Sequence, residues 1–200
     1  GKENAEIRGE TVSYDRYMDN DTTADPFAID IKNNEILRQV YVDNEKYDGY
    51  IRDRNVFGDG ITIEDSMSLI VKYKTGIVLA YSLNAFLPRE GFRIAFNGTK
   101  GRIEYEENHS PNIVAGSGKK TEDSNQWKPE LVVYPLFDKP YQIPVDALSG
   151  GHGGGDILLQ RQIFEGDIGP DPFARDAGHQ QGAASVLVGA AANQSFSTGQ

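Results

Sequence analysis

Apolar positions along the chain change period, and each change marks a different kind of structure. Over residues 66–73, Met67, Leu69, Val71 and Tyr73 alternate with Ser66, Ser68 and Lys72. A period of two predicts a half-buried strand. Lys74-Thr75-Gly76 reads as a hairpin turn, because glycine takes positive φ without steric cost. Residues 77–85 form the returning strand, and 93–96 and 102–105 a third and a fourth. The last two are joined by Asn97-Gly98-Thr99-Lys100-Gly101, whose Asn-Gly is a strong turn signal. Residues 131–134 and 141–143 read as further strands, closed by Pro135 and Pro144. Proline has no N–H for a ladder, so these two are expected to be short or at a sheet edge. Consecutive hairpins predict an antiparallel meander.

From residue 150 the period lengthens. Ile157, Leu158, Arg161 and Phe164 recur at helical intervals behind Asp156, which has the chemistry of an N-cap. A second helix is expected over about 180–194, with Val186, Leu187, Ala190 and Ala191 facing inward. Ahead of the strands, residues 1–65 are irregular, acidic and rich in Tyr, Asp and Asn. Within them, 25–30 reads as a turn into a short helix and 35–41 as another helix. The zone looks too polar to hold a core alone. Residues 107–130 read as a polar surface excursion. Strands followed by helices, without strict alternation, predict an α+β fold: a large, mostly antiparallel open sheet with helices on one face. The expected organisation is a single domain, with a lead-in over 1–65, a sheet over 66–145, and a glycine-rich loop with helices over 150–200.

Composition narrows the function. The 200 residues carry 20 Lys+Arg against 30 Asp+Glu, a net charge of −10, and no Cys. The acidic balance argues against nucleic acid and anionic membrane as partners, since both need clustered Lys/Arg. No apolar run approaches the roughly 18 residues that span a bilayer. Without Cys there is no disulfide, thiolate metal site or cysteine nucleophile. Three widely separated histidines, 109, 152 and 179, lack the spacing of a metal site, so no metal is expected. The polar start Gly1-Lys2-Glu3-Asn4 shows no signal peptide, and both ends read as cut, so an excised piece of a longer, cytoplasmic protein is expected.

Two segments carry candidate chemistry. Five of the seven residues from Gly150 to Asp156 are Gly, with His152 among them. So much glycine permits close backbone approach to a ligand, and the following helix adds N–H donors. The segment matches neither a phosphate loop nor a dinucleotide fingerprint, and Asp156 would repel phosphate. It reads as a pocket for a neutral, hydroxylated ligand held by His152 and Asp156; a flexible turn with His152 in solvent satisfies the same pattern. The second segment, Tyr50-Ile51-Arg52-Asp53-Arg54, alternates charge with large side chains just ahead of the first strand. It reads either as a ligand-binding run or as a surface ion-pair cluster.

Ile63-Glu64-Asp65-Ser66-Met67-Ser68, Tyr81-Ser82-Leu83-Asn84-Ala85-Phe86, Glu90-Gly91, Phe96-Asn97-Gly98-Thr99-Lys100-Gly101-Arg102-Ile103-Glu104, Gly151-His152-Gly153-Gly154-Gly155-Asp156 and the Ala-rich tail Ala191-Ala192-Asn193-Gln194-Ser195 together resemble the Gfo/Idh/MocA oxidoreductases over nearly the whole chain. The resemblance implies the C-terminal half of such an enzyme, in the fold of dihydrodipicolinate-reductase-like C-terminal domains. The Rossmann half that binds NAD or NADP, and the Glu-Lys-Pro motif whose lysine is the usual acid/base, have no counterpart, so no cofactor is expected in this chain. It implies a substrate-binding and oligomerisation half acting on a sugar or sugar-like polyol. His152 would assist proton transfer; His152, Asp156, Tyr50, Arg52, Asp53 and Arg54 would bind substrate. A homodimer or higher homo-oligomer would form through the sheet. Half of an NAD-dependent glycosidase, or a non-catalytic carbohydrate-binding module, fits the same likeness.

Overall fold

The computed structural model describes residues 14–22, 25–110, 129–145, 151–166, 169–173 and 177–199. In chain order its elements are α1 (Glu35–Val40), a 3-10 turn (Val42–Asn44), α2 (Glu45–Asp48), β1 (Ser66–Lys72), β2 (Val78–Asn84), β3 (Glu90–Gly98), β4 (Gly101–Ser110), β5 (Glu130–Pro135), β6 (Tyr141–Ile143), a second 3-10 turn (Gly151–Gly154), α3 (Gly155–Phe164) and α4 (His179–Thr198). Antiparallel sheets with helices make this the expected α+β class. The meander is interrupted, however: β1 and β2 pair with each other, while β3 to β6 form a separate four-stranded sheet in sequence order. Most of the polar excursion predicted over 107–130 lies outside the described residues; its start belongs to β4, which runs to Ser110. The chain divides into two compact units, residues 1–66 with 84–145 and residues 67–83 with 146–200.

The first unit holds the four-stranded sheet. Ile94 lies opposite Tyr105 and Phe96 opposite Ile103. Tyr105 and Ile103 in turn face Leu131 and Val133, which face Ile143 and Tyr141. Opposed residues share a face, so one side of the sheet is a continuous apolar surface. The other side carries charge: the Arg93 guanidinium meets Glu106 at 2.5 Å and Arg102 meets Glu104 at 2.6 Å. Arg93 holds the Glu106 carboxyl below its ordinary range. These exposed pairs contribute little stability and chiefly keep that face polar. On the apolar side, the Tyr105 hydroxyl donates to Glu107 at 2.5 Å, and that hydrogen bond, with some burial, pushes it up to about 12.

The β3–β4 turn falls within the expected 97–101 connection, but not on its Asn-Gly pair. Gly98 pairs directly with Gly101, so the turn is Thr99-Lys100, and Asn97 sits in the strand. Its side-chain oxygen accepts from Arg102 at 2.7 Å. Gly101 makes this junction feasible: at φ 150 a Cβ would collide with the Tyr134 carbonyl oxygen and stand 3.0 Å from Pro135 Cα. Proline placement follows the expectation in part. β6 is short and at the edge, but β5 lies between β4 and β6, with Pro135 as its last residue opposite Gly101.

The irregular lead-in packs better than its polarity suggests. Of five buried apolar residues among those described, Tyr17, Ala28, Ile31 and Phe57 all belong to it. Phe57 meets Phe27 at 4.8 Å and Phe86 at 5.2 Å between ring centroids. The helix expected over 25–30 is absent. The Asp25 side chain accepts from Phe27 N at 2.8 Å and its carbonyl from Ala28 N at 3.2 Å, which closes a turn instead of starting a ladder. α1 forms as expected, capped by Asn34, whose side chain accepts from Leu37 N.

In the second unit, Gly76 at φ 88 turns the β1–β2 hairpin. α4 extends beyond its expected limits and ends at Gly199, φ 72, whose N–H donates to the Ser195 carbonyl. Its inward stripe is shifted from the expected one. Ala192 is buried, whereas Val186 and Leu187 are 73% and 67% exposed. Val188 and Ser195 are half-buried one helical turn to either side of Ala192, and all three line a groove with residues of β1.

Replacing Gly101 with alanine adds both the clash with β5 and a strained φ. Gly101→Ala is expected to destabilise the chain by about 2 kcal/mol or more, read as a lower midpoint in urea denaturation.

Candidate functional site

The glycine-rich segment folds as a 3-10 turn leading into α3. Gly154, at φ 86, is the N-cap, so Asp156 lies inside the first helical turn instead of capping it. That placement gives Asp156 another partner. His152 Nδ1 lies 2.9 Å from Asp156 Oδ1 and 3.0 Å from Oδ2. A carboxylate only accepts, so Nδ1 is the donor, and in the neutral ring Nε2 is then the acceptor. His152 takes φ 49, a conformation that costs a non-glycine residue about 1 kcal/mol or more and often marks functional loops. Its side chain is 87% exposed.

The second predicted segment divides between ring contacts and a buried clamp. α2 ends at Gly49, φ 71. Beyond it the Tyr50 ring lies 6.0 Å from that of Tyr41, and the Arg52 guanidinium sits 5.7 Å from the same Tyr41 ring. Asp53 has no exposed surface. Its Oδ1 accepts from Arg16 Nε at 3.0 Å and Nη2 at 2.6 Å, and its Oδ2 from Met18 N at 2.8 Å. Arg16 also meets Glu45 through both terminal nitrogens, at 3.1 and 2.5 Å. Its hydrogen bonds to Glu45 first, then to Asp53, push the guanidinium further above its already high range. Arg54 pairs its backbone with Arg16 and has an exposed side chain.

The structure thus joins His152 with Asp156 in one unit and gathers Tyr50, Arg52, Asp53 and Arg54 in the other. Sequence reading passed over Arg16 and Glu45, which organise the second group. Their only signal was the complementary charge of Asp15-Arg16-Tyr17 and the 48–54 run. It also passed over the Tyr14 hydroxyl, which donates to Asp25; burial first, then that bond, holds it well above its ordinary range.

The entry to α3 does not suit a dinucleotide. A pyrophosphate at a helix entry needs unopposed N–H groups, and the first turn of α3 presents the Asp156 carboxylate. Among the described residues no group of three or more His, Asp or Glu is placed to hold a metal, and no helix is long and apolar enough to cross a membrane.

The antiparallel α+β architecture agrees with the comparison to known families. Residues 32–200 match the description "Oxidoreductase family, C-terminal alpha/beta domain", and the chain belongs to this Gfo/Idh/MocA family. It is 40% identical over 148 residues to a Bacillus subtilis (strain 168) protein named "Putative oxidoreductase YteT". The match covers 72% of this chain and 32% of YteT, so the chain spans about a third of that relative's length. No solved structure matches the chain.

Removing the enclosed carboxylate leaves Arg16 half-paired and Met18 N without its acceptor. Asp53→Ala is expected to cost about 3 kcal/mol, the low end for a broken buried pair because Arg16 stays partly hydrated, measured by urea denaturation.

Proposed function

We propose that this chain is the substrate-binding and oligomerising half of an NAD(P)-dependent oxidoreductase acting on a sugar or sugar-like polyol. Membership of an oxidoreductase family supports the reaction class. The dinucleotide would be held outside the described residues, by a Rossmann half, in the cytoplasm. What this chain contributes is substrate contact and proton handling.

The observation that carries the reading is the His152–Asp156 pair. Asp156 accepts the hydrogen bond from Nδ1–H and fixes the tautomer, so Nε2 can accept a proton from a substrate hydroxyl or return one. The order His-x-x-x-Asp still brings the two side chains into contact, because four residues span one turn. Arg52, Arg54 and Tyr50 would bind hydroxyls. Asp53 would serve them from behind by anchoring their segment on Arg16, since its own oxygens are enclosed.

Oligomerisation is supported by the apolar side of the β3–β6 sheet. Phe96 is 67% and Tyr141 54% exposed there, in line with Ile94, Ile103 and Val133. Apolar surface of this extent normally seeks a partner, and a second copy would supply the matching face.

In the complete enzyme, His152→Ala is expected to lower kcat/KM by about 100-fold or more on the substrate that an activity screen of sugars and polyols identifies. An unchanged kcat/KM sinks the proton-handling role. Light scattering after size exclusion should show a dimer or larger assembly that Phe96→Glu dissociates; a wild-type monomer counts against the sheet interface.

A further inference from the structure

Among the described strand residues, the apolar side of the four-stranded sheet carries one acid, Glu107. Alternate residues of β4 share a face, so Ile103, Tyr105, Glu107 and His109 all lie on this side. Glu107 pairs in register with Phe92 of β3, whose ring lies 5.8 Å from those of Tyr105 and His109. The carboxylate divides its two oxygens between its β4 neighbours. Oε2 accepts from the Tyr105 hydroxyl at 2.5 Å, and Oε1 stands 3.5 Å from His109 Nδ1. Glu107 and His109 are both half-buried.

A tyrosine hydroxyl bonds the carboxylate but leaves its charge in place. A protonated His109 cancels that charge, and a neutral one does not. The charged groups on the strands flanking β4 belong to the opposite side of the sheet. Glu90 of β3 pairs with Ser110 and Arg93 with Glu106. Glu130 of β5 also pairs with Glu106, and Arg89 reaches the same carboxylate at 3.5 Å. Among the described residues, the net charge of this site therefore follows His109: a full negative charge beside a neutral imidazole, none beside an imidazolium.

We propose that docking of a second copy on this face takes up a proton at the Glu107–His109 pair, so that assembly strengthens as pH falls through the histidine range. This deepens, and rests on, the reading of the sheet as the homo-oligomer interface. A carboxylate moved from water into an apolar contact without a compensating charge is costly. With an imidazolium beside it, the enclosed pair is neutral. Each copy presents the same pair to an isologous contact, so the charge is either cancelled within each site or enclosed twice. A proton held more tightly in the assembly than in the free chain favours assembly at low pH, and that contribution is lost as pH rises.

Sedimentation velocity on the whole 200-residue chain, over a concentration series, tests this. The dissociation constant of the dimer is expected to be at least about tenfold lower at about pH 6 than at about pH 8. Glu107→Gln removes the charge and keeps an acceptor for Tyr105. It should make assembly independent of pH, and as tight at the higher pH as the wild type at the lower. His109→Gln leaves Glu107 charged throughout, so assembly should be weak at both. His152→Ala and His179→Gln, in the other unit, should keep the wild-type response. Circular dichroism at each pH checks folding; a variant that fails is replaced by Glu107→Ala or His109→Asn, with the same expectations. A dimer equally tight at both pH values, one that tightens as pH rises, or a response that survives Glu107→Gln overturns the proposal, and the sheet interface still stands if Phe96→Glu dissociates that dimer. A chain that stays monomeric at every pH gives this face to another occupant and removes both readings.

Discussion

One buried carboxylate organises the lead-in. Asp53 has no contact with solvent and would be costly to enclose without partners. Arg16 supplies two hydrogen bonds and Met18 N a third. Arg16 then extends to Glu45, so a single guanidinium joins the first described segment, α2 and the 50–54 run. Tyr17 and Phe57 are buried alongside, and the Tyr17 hydroxyl accepts from Val56 N at 3.1 Å. Burial raises the Tyr17 hydroxyl above its ordinary range, partly offset by that bond. An acidic, loop-rich stretch can thus hold shape without regular secondary structure, because its polar groups satisfy one another around a few aromatic rings.

The same clamp shapes the surface that the segment offers. With Arg16 and Asp53 turned onto each other, Arg54 and Arg52 are the cations of this run left toward solvent, and Arg52 rests against the Tyr41 ring. The other candidate group depends on a different device. Gly154 takes the left-handed N-cap position, which moves Asp156 into the first turn of α3 and within reach of His152. In both places a residue that looks reactive in one dimension is either enclosed or oriented by a neighbour that the local pattern does not reveal.

Much of the sheet was legible. Alternation located β1, the Lys74-Thr75-Gly76 turn placed the returning strand, and the short apolar runs located β3 to β6. β3 and β4 extend further than those runs because their charged residues occupy the solvent side; Arg93 facing Glu106 belongs to the strand as firmly as Ile94 facing Tyr105. The Asn97-Gly98 signal was displaced by two residues because Gly101 could take φ 150 against Tyr134. In α4, helical periodicity was clear but its phase was not. A run of Ala, Val and Leu is apolar all round, so burial of Ala192 over Val186 follows from what packs beside it.

Residue order by itself determined the α+β class, the hairpins, the approximate helices, the family likeness and the two segments worth testing. These follow from local periodicity, turn chemistry and short motifs, all of which act over a few residues. Tertiary structure alone decided that the strands divide into a hairpin and a separate four-stranded sheet, that Asp53 is enclosed, and that His152 meets Asp156. It also decided that Phe92 packs on Tyr105 and His109 beside Glu107. Each of these depends on which distant segment arrives beside a side chain; Arg16 and Asp53, 37 positions apart, become one ion pair only when the chain closes on itself.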